Sequence, residues 1–325
     1  MSKPLQIRKR VLGRTGLTVT ELGLGGYMFT GEFGVPQSEA HAILDLALES
    51  GINYIDTAAM YGFGEGEELV GRALARHPRW QVHVSTKVGW LDRTVVRNLG
   101  DKAYRDEAAL RRAIEHSFWL LRRDYIDVFM IHEPNTEAWW GLDRQTGDAV
   151  VTRVLEDYKR QGRIGAIGLG GWDCDHMADM VATGRFDVAL VAGGYTLVHQ
   201  KVRERVIPAA RKHNVGLVMG GTFLQGFLAR PQRERLVQMQ QTQKYEGWMN
   251  ATLTRRVLAV YDLCETSGLS LPEMCLRYIL RDPDIHTIIP GAQQVAHLRE
   301  NLAAAAKGPL PDELAGRIDA INRLE

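Results

Sequence analysis

The sequence predicts one closed (β/α)8 barrel formed by residues 1–325. Eight short apolar stretches alternate with helix-forming stretches, and no composition shift or linker rich in proline, glycine or serine divides them. Several predicted strands, spread across the chain, end in polar residues. A barrel brings the carboxyl ends of all its strands to one face, which favours it over the alternative, a doubly wound sheet.

The chain begins with a predicted hairpin. Residues 5–19 contain two strand-forming stretches around Gly13-Arg14-Thr15-Gly16, a glycine-rich turn. We expect this hairpin to cover one end of the fold. The first core strand is predicted at 21–27, where glycines allow another group to approach the backbone closely.

The first predicted helix shows how the alternation is recognised. It begins at the N-cap Ser38, has an acidic first turn and apolar residues at helical spacing, and stops at Gly51. The second strand, 52–55, follows directly and ends at Asp56. The later strands are predicted at 82–87, 126–132, 164–170, 188–192, 216–220 and 286–290. The later helices are predicted at 67–75, 107–122, 150–161, 175–182, 201–213, 254–267 and 271–281, with a helical tail.

Three insertions interrupt the alternation, at 89–106, 133–148 and 221–255. Each follows a predicted strand, so we expect all three at the carboxyl ends of the strands. Loops of this length in a compact domain are usually lids or substrate walls, although they can also be without function.

Composition excludes several classes of protein. The formal net charge of +1 gives no electrostatic reason to expect a nucleic-acid or anionic membrane partner. The three cysteines, Cys174, Cys264 and Cys275, are too widely spaced for a disulfide framework or a metal site. The N-terminus is polar and no stretch approaches the roughly 20 apolar residues of a membrane span. We therefore expect a soluble, cytoplasmic protein without a metal; no heptad pattern predicts an oligomer.

Ionisable side chains lie at the ends of three predicted strands. Asp56, Lys87 and His132 end strands, and Tyr61 lies five residues beyond Asp56. Taken singly, each has an ordinary structural explanation: a buried ion pair, a core histidine and a packing tyrosine. Together they form a proton-donating site for carbonyl reduction, since an ammonium lowers a phenol's pKa and an imidazole can hold a carbonyl oxygen. Hydride would come from a cofactor, because no side chain can donate it.

The sequence contains one candidate phosphate site. Residues 62–68, GFGEGEE, are rich in glycine, but their three glutamates would repel phosphate. A complete GxGxxG opening a helix is absent. In 288–301, IIPGAQQVAHLREN, a strand passes through Pro-Gly into a helix, and a helix N-terminus at a barrel mouth can bind an anion.

Four of these stretches resemble the aldo-keto reductase family. GINYIDTAAMYGFGEGEELVGRAL (51–74) resembles the family signature, STK (85–87) its lysine strand, DVFMIHEP (127–134) its histidine strand, and 288–301 its nucleotide segment. LGRTGLTVTELGLGG (12–26) is similar to the usual opening. The resemblance covers essentially the whole chain. It implies a (β/α)8 barrel that binds NAD(P)H across its mouth and reversibly reduces aldehydes or ketones.

The resemblance also implies roles for individual residues. Tyr61 is the acid and base, Lys87 lowers its pKa, Asp56 pairs with Lys87, and His132 orients the carbonyl. The cofactor contacts that it implies are Gly25, Gly26, Asp56, Gly170, Gly171, Gly220, Gly221, Pro290, Gly291, Ala292, His297, Glu300 and Asn301, the last two at adenine.

The chain departs from the family pattern around the cofactor. Gly170-Gly171 replaces the usual Ser-Asn after strand five, the glutamine of strand six is not evident, and glycine replaces the aromatic residue after strand seven. VAGGYTL and MGGTFLQGFLA look more like aldose dehydrogenases acting on fucose-like and galactose-like sugars. Gly291, Ala292 and His297 occupy positions that commonly hold partners of the NADP 2'-phosphate, so we expect a relaxed NADP/NAD preference that leans to NAD.

Aromatic residues after the predicted strands are candidates for the substrate wall. They are Tyr27, Phe29, Trp90, Trp139, Trp140 and Trp172, with Met28 beside them. Such faces pack against sugar rings and aromatic carbonyl compounds alike, and the alternative is simple loop packing. An alternative function is a cofactor-sensing regulatory subunit, which would keep the fold and the nucleotide site. A purely structural barrel would leave lysine and aspartate at buried strand ends unexplained.

Overall fold

The computed structural model describes residues 7–75, 82–89 and 100–324. Trp90, a predicted substrate contact, lies outside the described residues, as does most of the predicted insertion 89–106. A short antiparallel hairpin, β1 (Lys9–Val11) and β2 (Thr18–Thr20), opens the chain. Eight further strands are described, all of them parallel: β3 (Leu24–Gly25), β4 (Tyr54–Asp56), β5 (His83–Val88), β6 (Ile126–His132), β7 (Ile164–Gly171), β8 (Val188–Ala192), β9 (Gly216–Gly220) and β10 (Thr287–Ile288).

The parallel strands form a barrel. They pair in chain order from β3 to β10, and parallel bridges join Leu22 to Ile288 and Gly25 to Gly291. These bridges bring the first strand against the last, whereas a doubly wound sheet would leave both as edges. The predicted fold class is confirmed.

The hairpin closes the amino-terminal end of the barrel, as predicted. Leu12 and Val19 pack with residues of the barrel interior, and a Cβ on Gly13 would lie 2.3 Å from the backbone nitrogen of Gly216, where β9 begins. Arg10 holds the hairpin in place by donating hydrogen bonds to the carbonyl oxygens of Asp282 and Ile285, both at 2.6 Å.

Helices surround the barrel. In the described residues they are α1 (Gln37–Glu49), α2 (Glu65–Leu74), α3 (Glu107–Leu121), α4 (Glu137–Trp140), α5 (Val150–Arg160), α6 (Cys174–Ala182), α7 (Ile207–His213), α8 (Arg233–Thr242), α9 (Ala251–Ser267), α10 (Leu271–Ile279), α11 (Val295–Ala306) and α12 (Asp312–Ile321). None of the described helices has the length and apolar character needed to cross a membrane.

Several predicted elements differ from the structure. Ser38 is not an N-cap, because α1 begins at Gln37 after Pro36, and the last predicted strand, 286–290, is shortened to Thr287–Ile288. The first core strand is two residues long rather than 21–27, because after Gly25 the chain leaves the barrel wall and Gly26 N–H donates to the carbonyl oxygen of Asp56 at 2.7 Å. The predicted helix 201–213 is divided: a wide helical turn, Val202–Val206, precedes α7. Pro208 lies at this junction, and its missing N–H cannot support a regular ladder of hydrogen bonds.

The insertions after β6 and β9 lie at the carboxyl ends of the barrel strands. The first includes α4, and the second includes α8 and the segment 243–250 that follows it. This is also the end at which Asp56 and His132 complete their strands, so the barrel places long loops and ionisable residues on the same face.

Candidate active site

A buried ion pair joins the ends of β4 and β5. Asp56 is in register with Ser85, so Lys87, two residues further along, projects from the same face of its strand. Lys87 Nζ lies 2.7 Å from Asp56 Oδ2, and Ser85 Oγ donates to Asp56 Oδ1 at 2.7 Å. Both charged side chains are at most 2% exposed. Burial of two charges is tolerated here because each is paired and hydrogen-bonded.

The Lys87 ammonium uses all three of its N–H groups. Besides Asp56, it donates to the carbonyl oxygen of Thr57 at 2.8 Å and to the hydroxyl oxygen of Tyr61 at 3.1 Å. A Cβ on Gly170 would lie 3.0 Å from Lys87 Cδ, so glycine at this position leaves room for the lysine chain. Lys87 is thereby fixed in one orientation, directed at the phenol.

Tyr61 opens a tight turn between β4 and α2. Its hydroxyl accepts from Lys87, which leaves the phenolic proton available for donation elsewhere. The ring centroid lies 4.9 Å from that of Tyr27 and 6.0 Å from that of His132. Gly62 follows with a φ of 60°, a conformation that glycine adopts without strain.

His132 faces Tyr61 from the end of β6. Its carbonyl oxygen accepts a hydrogen bond of 3.0 Å from Trp140 Nε1, while its Nδ1 is buried and has no hydrogen-bond partner among the described residues. Burial, and secondarily Lys87, hold the pKa of His132 well below its ordinary value. The imidazole is therefore neutral near pH 7 and carries one N–H donor.

The pKa of Tyr61 corrects one expectation. Lys87 lowers the pKa of Tyr61, as predicted, but burial raises this pKa more strongly, so the net shift is upward. Burial lowers the pKa of Lys87, but Asp56 and Tyr61 raise it, again with a net upward shift. The arrangement is a protonated phenol held by an ammonium beside a neutral imidazole. It can donate a proton to a carbonyl oxygen placed between the two rings.

Glu67 is a buried carboxyl group that the sequence did not single out. Thr86 Oγ1 donates to Glu67 Oε1 at 2.6 Å, directly behind Lys87. The side chain is fully buried, and burial raises its pKa to about 7 despite opposing effects of Thr86, Ser117 and Lys87. Its spacing from the buried residues Val70 and Leu74 of α2 is a signal that could have placed it on the core face.

The predicted cofactor residues occupy several environments. Gly25 and Gly26 are packed tightly against backbone: a Cβ at either would lie within 2.8 Å of a carbonyl oxygen. Gly171 lies against Pro134, Gly221 has a φ of +61°, and a Cβ on Gly220 would make only ordinary van der Waals contacts.

The nucleotide segment leads into α11. Gly25 N–H donates to the carbonyl oxygen of Pro290 at 3.3 Å, and Gly291 packs against Met28. Ala292 and Asn301 are buried, whereas His297 and Glu300 are exposed.

The predicted substrate wall is only partly supported by position. Tyr27 is 38% exposed beside Tyr61, and Trp172 is 51% exposed after β7. Trp139 is half-buried and stacks on Tyr104 at 4.7 Å.

Two members of the predicted wall are not placed to touch a substrate. Phe29 is fully buried in the core, and Trp140 is 1% exposed and supports the His132 backbone. These two predictions are corrected, because an aromatic residue after a strand can turn inward as readily as toward the mouth.

Known proteins share both the sequence pattern and the fold. Residues 21–323 match the Aldo/keto reductase family. Pyridoxal 4-dehydrogenase of Microbacterium luteolum is 30% identical, and the alignment covers 94% of each chain. NADH-specific methylglyoxal reductase of Escherichia coli (strain K12) is 28% identical over 92% of this chain and 93% of that protein. D-threo-aldose 1-dehydrogenase of Pseudomonas sp is 28% identical over 90% and 91%.

A solved structure agrees on the fold. The holo form of an aldo-keto reductase from Bacillus halodurans is 24% identical, covers 98% of both chains and superposes with a TM-score of 0.75. The family match over 21–323 confirms the resemblance seen in the sequence: the chain belongs to the aldo/keto reductase family.

Proposed function

We propose that this protein is an NAD(P)-dependent oxidoreductase that interconverts a small aldehyde, ketone or aldose with its alcohol or lactone. The observation that carries the proposal is that all three N–H groups of the Lys87 ammonium donate hydrogen bonds. One of them holds the Tyr61 hydroxyl oxygen at 3.1 Å and leaves the phenolic proton of Tyr61 free to move. During reduction Tyr61 donates this proton to the carbonyl oxygen. During oxidation it accepts the proton of the alcohol, and in both directions the neutral His132 orients the oxygen.

The residues of the nucleotide segment fit an adenine nucleotide. Asn301 Nδ2 is buried and has no hydrogen-bond partner within the part of the chain that the structure describes. A buried amide without a partner is costly, and a ring nitrogen of adenine would satisfy it. Asn301 and the neighbouring Glu300 would hold the adenine, and the nicotinamide end would supply or accept hydride.

The charges near α11 support a preference for NAD over NADP. Glu39 Oε1 accepts a hydrogen bond of 2.7 Å from Val295 N–H, the first residue of α11. A carboxylate at this helix N-terminus occupies one donor and repels a second anion. Gly291 and Ala292 offer no compensating positive charge. A 2'-phosphate would therefore be less favourable at this end of the molecule than a free hydroxyl.

The relatives support aldehydes and aldoses as substrates. Two are named for reactions of pyridoxal and of an aldose, and a third for methylglyoxal. We propose an aldose as the leading substrate class, with the exposed rings of Tyr27 and Trp172 as apolar surfaces for it.

The test is turnover of the purified protein with a panel of aldoses, simple aldehydes and aromatic ketones, using both cofactors in both directions. The change in nicotinamide absorbance reports the rate. Turnover with NAD and an aldose supports the proposal. Cofactor binding without turnover on any member of the panel would contradict it and would indicate cofactor sensing instead.

A further inference from the structure

A cleft on the outer wall of the barrel is lined largely by cationic side chains. It lies among the segment that follows β8, the helical turn Val202–Val206, the first half of α9 and the residues that follow α12. Its volume is about 610 Å³, which is enough for a small metabolite. None of its lining residues belongs to the candidate active site or to the nucleotide segment.

The lining of the cleft carries more positive than negative charge. The cationic residues are Lys201, Arg203, Arg256 and Arg323, and the carboxylates are Glu204 and Asp319. Lys201 pairs with Asp175 at 2.5 Å. Arg203 pairs with Asp319 at 3.4 Å. Arg256 and Arg323, in contrast, have no carboxylate within ion-pair distance among the residues that the structure describes.

Arg256 is a half-buried cation whose hydrogen-bond partners are neutral. Its Nε donates to the carbonyl oxygen of Leu324 at 3.0 Å, and its Nη1 donates to that of Val198 at 3.2 Å. These two bonds fix the plane of the guanidinium. Burial and the nearby Arg255 lower the pKa of Arg256, and the opposite effect of Glu204 is smaller. A bound anion would raise this pKa and stabilise the charge.

Two consecutive residues after α12 complete the cleft. The guanidinium of Arg323 is exposed and makes no hydrogen bond within the described part of the chain. Asn322 Nδ2 donates to the carbonyl oxygens of Leu197 at 2.6 Å and Ile318 at 3.1 Å, which identifies the other amide atom as Oδ1. This Oδ1 is buried and has no hydrogen-bond partner in the same described residues. A buried acceptor without a partner is costly, and a hydroxyl group of a ligand would satisfy it.

We propose that this cleft binds a small phosphorylated alcohol, whose phosphate group pairs with Arg256 and Arg323 and whose hydroxyl group donates to Asn322. Arginine suits this ligand because its planar guanidinium can donate two parallel hydrogen bonds to phosphate oxygens. A phosphate monoester near pH 7 carries close to two negative charges, which matches the two arginines that lack a carboxylate. The site is separate from the proposed cofactor and substrate sites, so the inference does not rest on the proposed function.

Binding of glycerol 3-phosphate to the full-length protein, measured by titration calorimetry, tests the site. We expect glycerol 3-phosphate to bind more tightly than inorganic phosphate, which lacks the alcohol, and than glycerol, which lacks the charge. Saturating NADH should leave this affinity unchanged, because the phosphates of the cofactor would be held elsewhere.

Charge-removing variants locate the binding. Arg323→Gln should weaken the affinity for glycerol 3-phosphate about tenfold, and its fold should be intact because the guanidinium makes no bond to the described residues. Arg256→Gln should weaken it at least as much, with urea unfolding to show whether the lost bonds to carbonyl oxygens disturb the fold. The matched control is Arg317→Gln, because Arg317 is an exposed arginine of α12 outside the cleft.

The outcomes separate this inference from the proposed function. Equal affinities in Arg323→Gln and Arg317→Gln, no binding to the unmodified protein, or displacement of glycerol 3-phosphate by NADH would each overturn the site. Inorganic phosphate that binds as tightly as glycerol 3-phosphate would overturn the contact assigned to Asn322. Absence of turnover on the substrate panel would contradict the proposed function alone and would leave this binding unchanged.

Discussion

Replacing Glu67 by glutamine should remove a pH-dependent cost to folding. The carboxyl group is fully buried behind Lys87, and burial raises its pKa from an ordinary 4.5 to about 7. Between these two values the unfolded chain releases the proton while the folded protein keeps it. Stability is therefore lost as the pH rises through this interval and is constant again above it.

The size of the effect follows from the shift in pKa. A change from 4.5 to about 7 corresponds to about 3 kcal/mol of unfolding free energy, fully expressed above pH 7. Glutamine has nearly the same shape but does not titrate. We expect Glu67→Gln to gain about 3 kcal/mol relative to the unmodified protein between about pH 4.5 and about pH 8.

Urea unfolding followed by circular dichroism at about pH 5 and about pH 8 measures this difference. The matched control is Glu68→Gln, since Glu68 is adjacent in sequence but 40% exposed and paired with Arg72 on the surface. Surface pairs contribute little, so this variant should follow the unmodified protein at both pH values. Parallel pH profiles for Glu67→Gln and the unmodified protein would refute the reasoning.

Four further predictions concern residues at or near the mouth of the barrel. Tyr61→Phe should lower kcat about 10²-fold to 10⁴-fold with little change in cofactor Kd, and near-normal turnover would remove Tyr61 from the mechanism. In the unmodified protein, the rate of carbonyl reduction should stay constant with rising pH to beyond the ordinary phenol pKa of 10.0. Burial raises the pKa of Tyr61, and the phenol must be protonated to act. A rate that declines at a pH well below 10.0 would contradict this. Lys87→Met should lower the free energy of unfolding, measured in urea, by about 3–5 kcal/mol, because it leaves Asp56 buried and unpaired. Adding Asp56→Asn should restore most of this loss. A double variant as unstable as Lys87→Met would argue against the ion pair as the cause. Glu39→Gln should raise the affinity for NADP relative to NAD, measured as the ratio of the two Kd values. An unchanged ratio would show that Glu39 does not affect binding of the 2'-phosphate of NADP.

Much of the site could be predicted because strand ends converge. Asp56 and His132 are the last residues of their strands and Lys87 is next to last in β5, and a barrel places all such strand ends on one face. Their convergence at one face therefore follows from the alternation of strands and helices, without knowledge of side-chain conformation. The direction of the Tyr61 pKa did not follow, because it depends on how strongly burial competes with the nearby ammonium.

Other features of the site depend on side-chain contacts and burial that the spacing of apolar residues does not determine. Trp248 lies in the insertion after β9 and packs on Gly193 after β8, a contact between positions far apart in the chain that no sequence pattern indicates. Glu67 lies at helical spacing from the buried residues Val70 and Leu74, so its place on the core face could be predicted, but the rise in its pKa depends on burial that the sequence does not show. Phe29 and Trp140 turn inward, because local chain direction, rather than distance from a strand end, decides which way an aromatic side chain faces.

The closure of the barrel also constrains how the protein is synthesised. Bridges from Leu22 to Ile288 and from Gly25 to Gly291 join the first barrel strand to the last. Arg10 can donate its hydrogen bonds only after the carbonyl groups of Asp282 and Ile285 have been made. While the ribosome makes the intervening residues, the growing chain has an unpaired strand edge and an open amino-terminal end. Such edges invite association with other chains. The barrel therefore closes only after residues 282–291 have been made, and a chain released before them would lack the contacts that close its amino-terminal end.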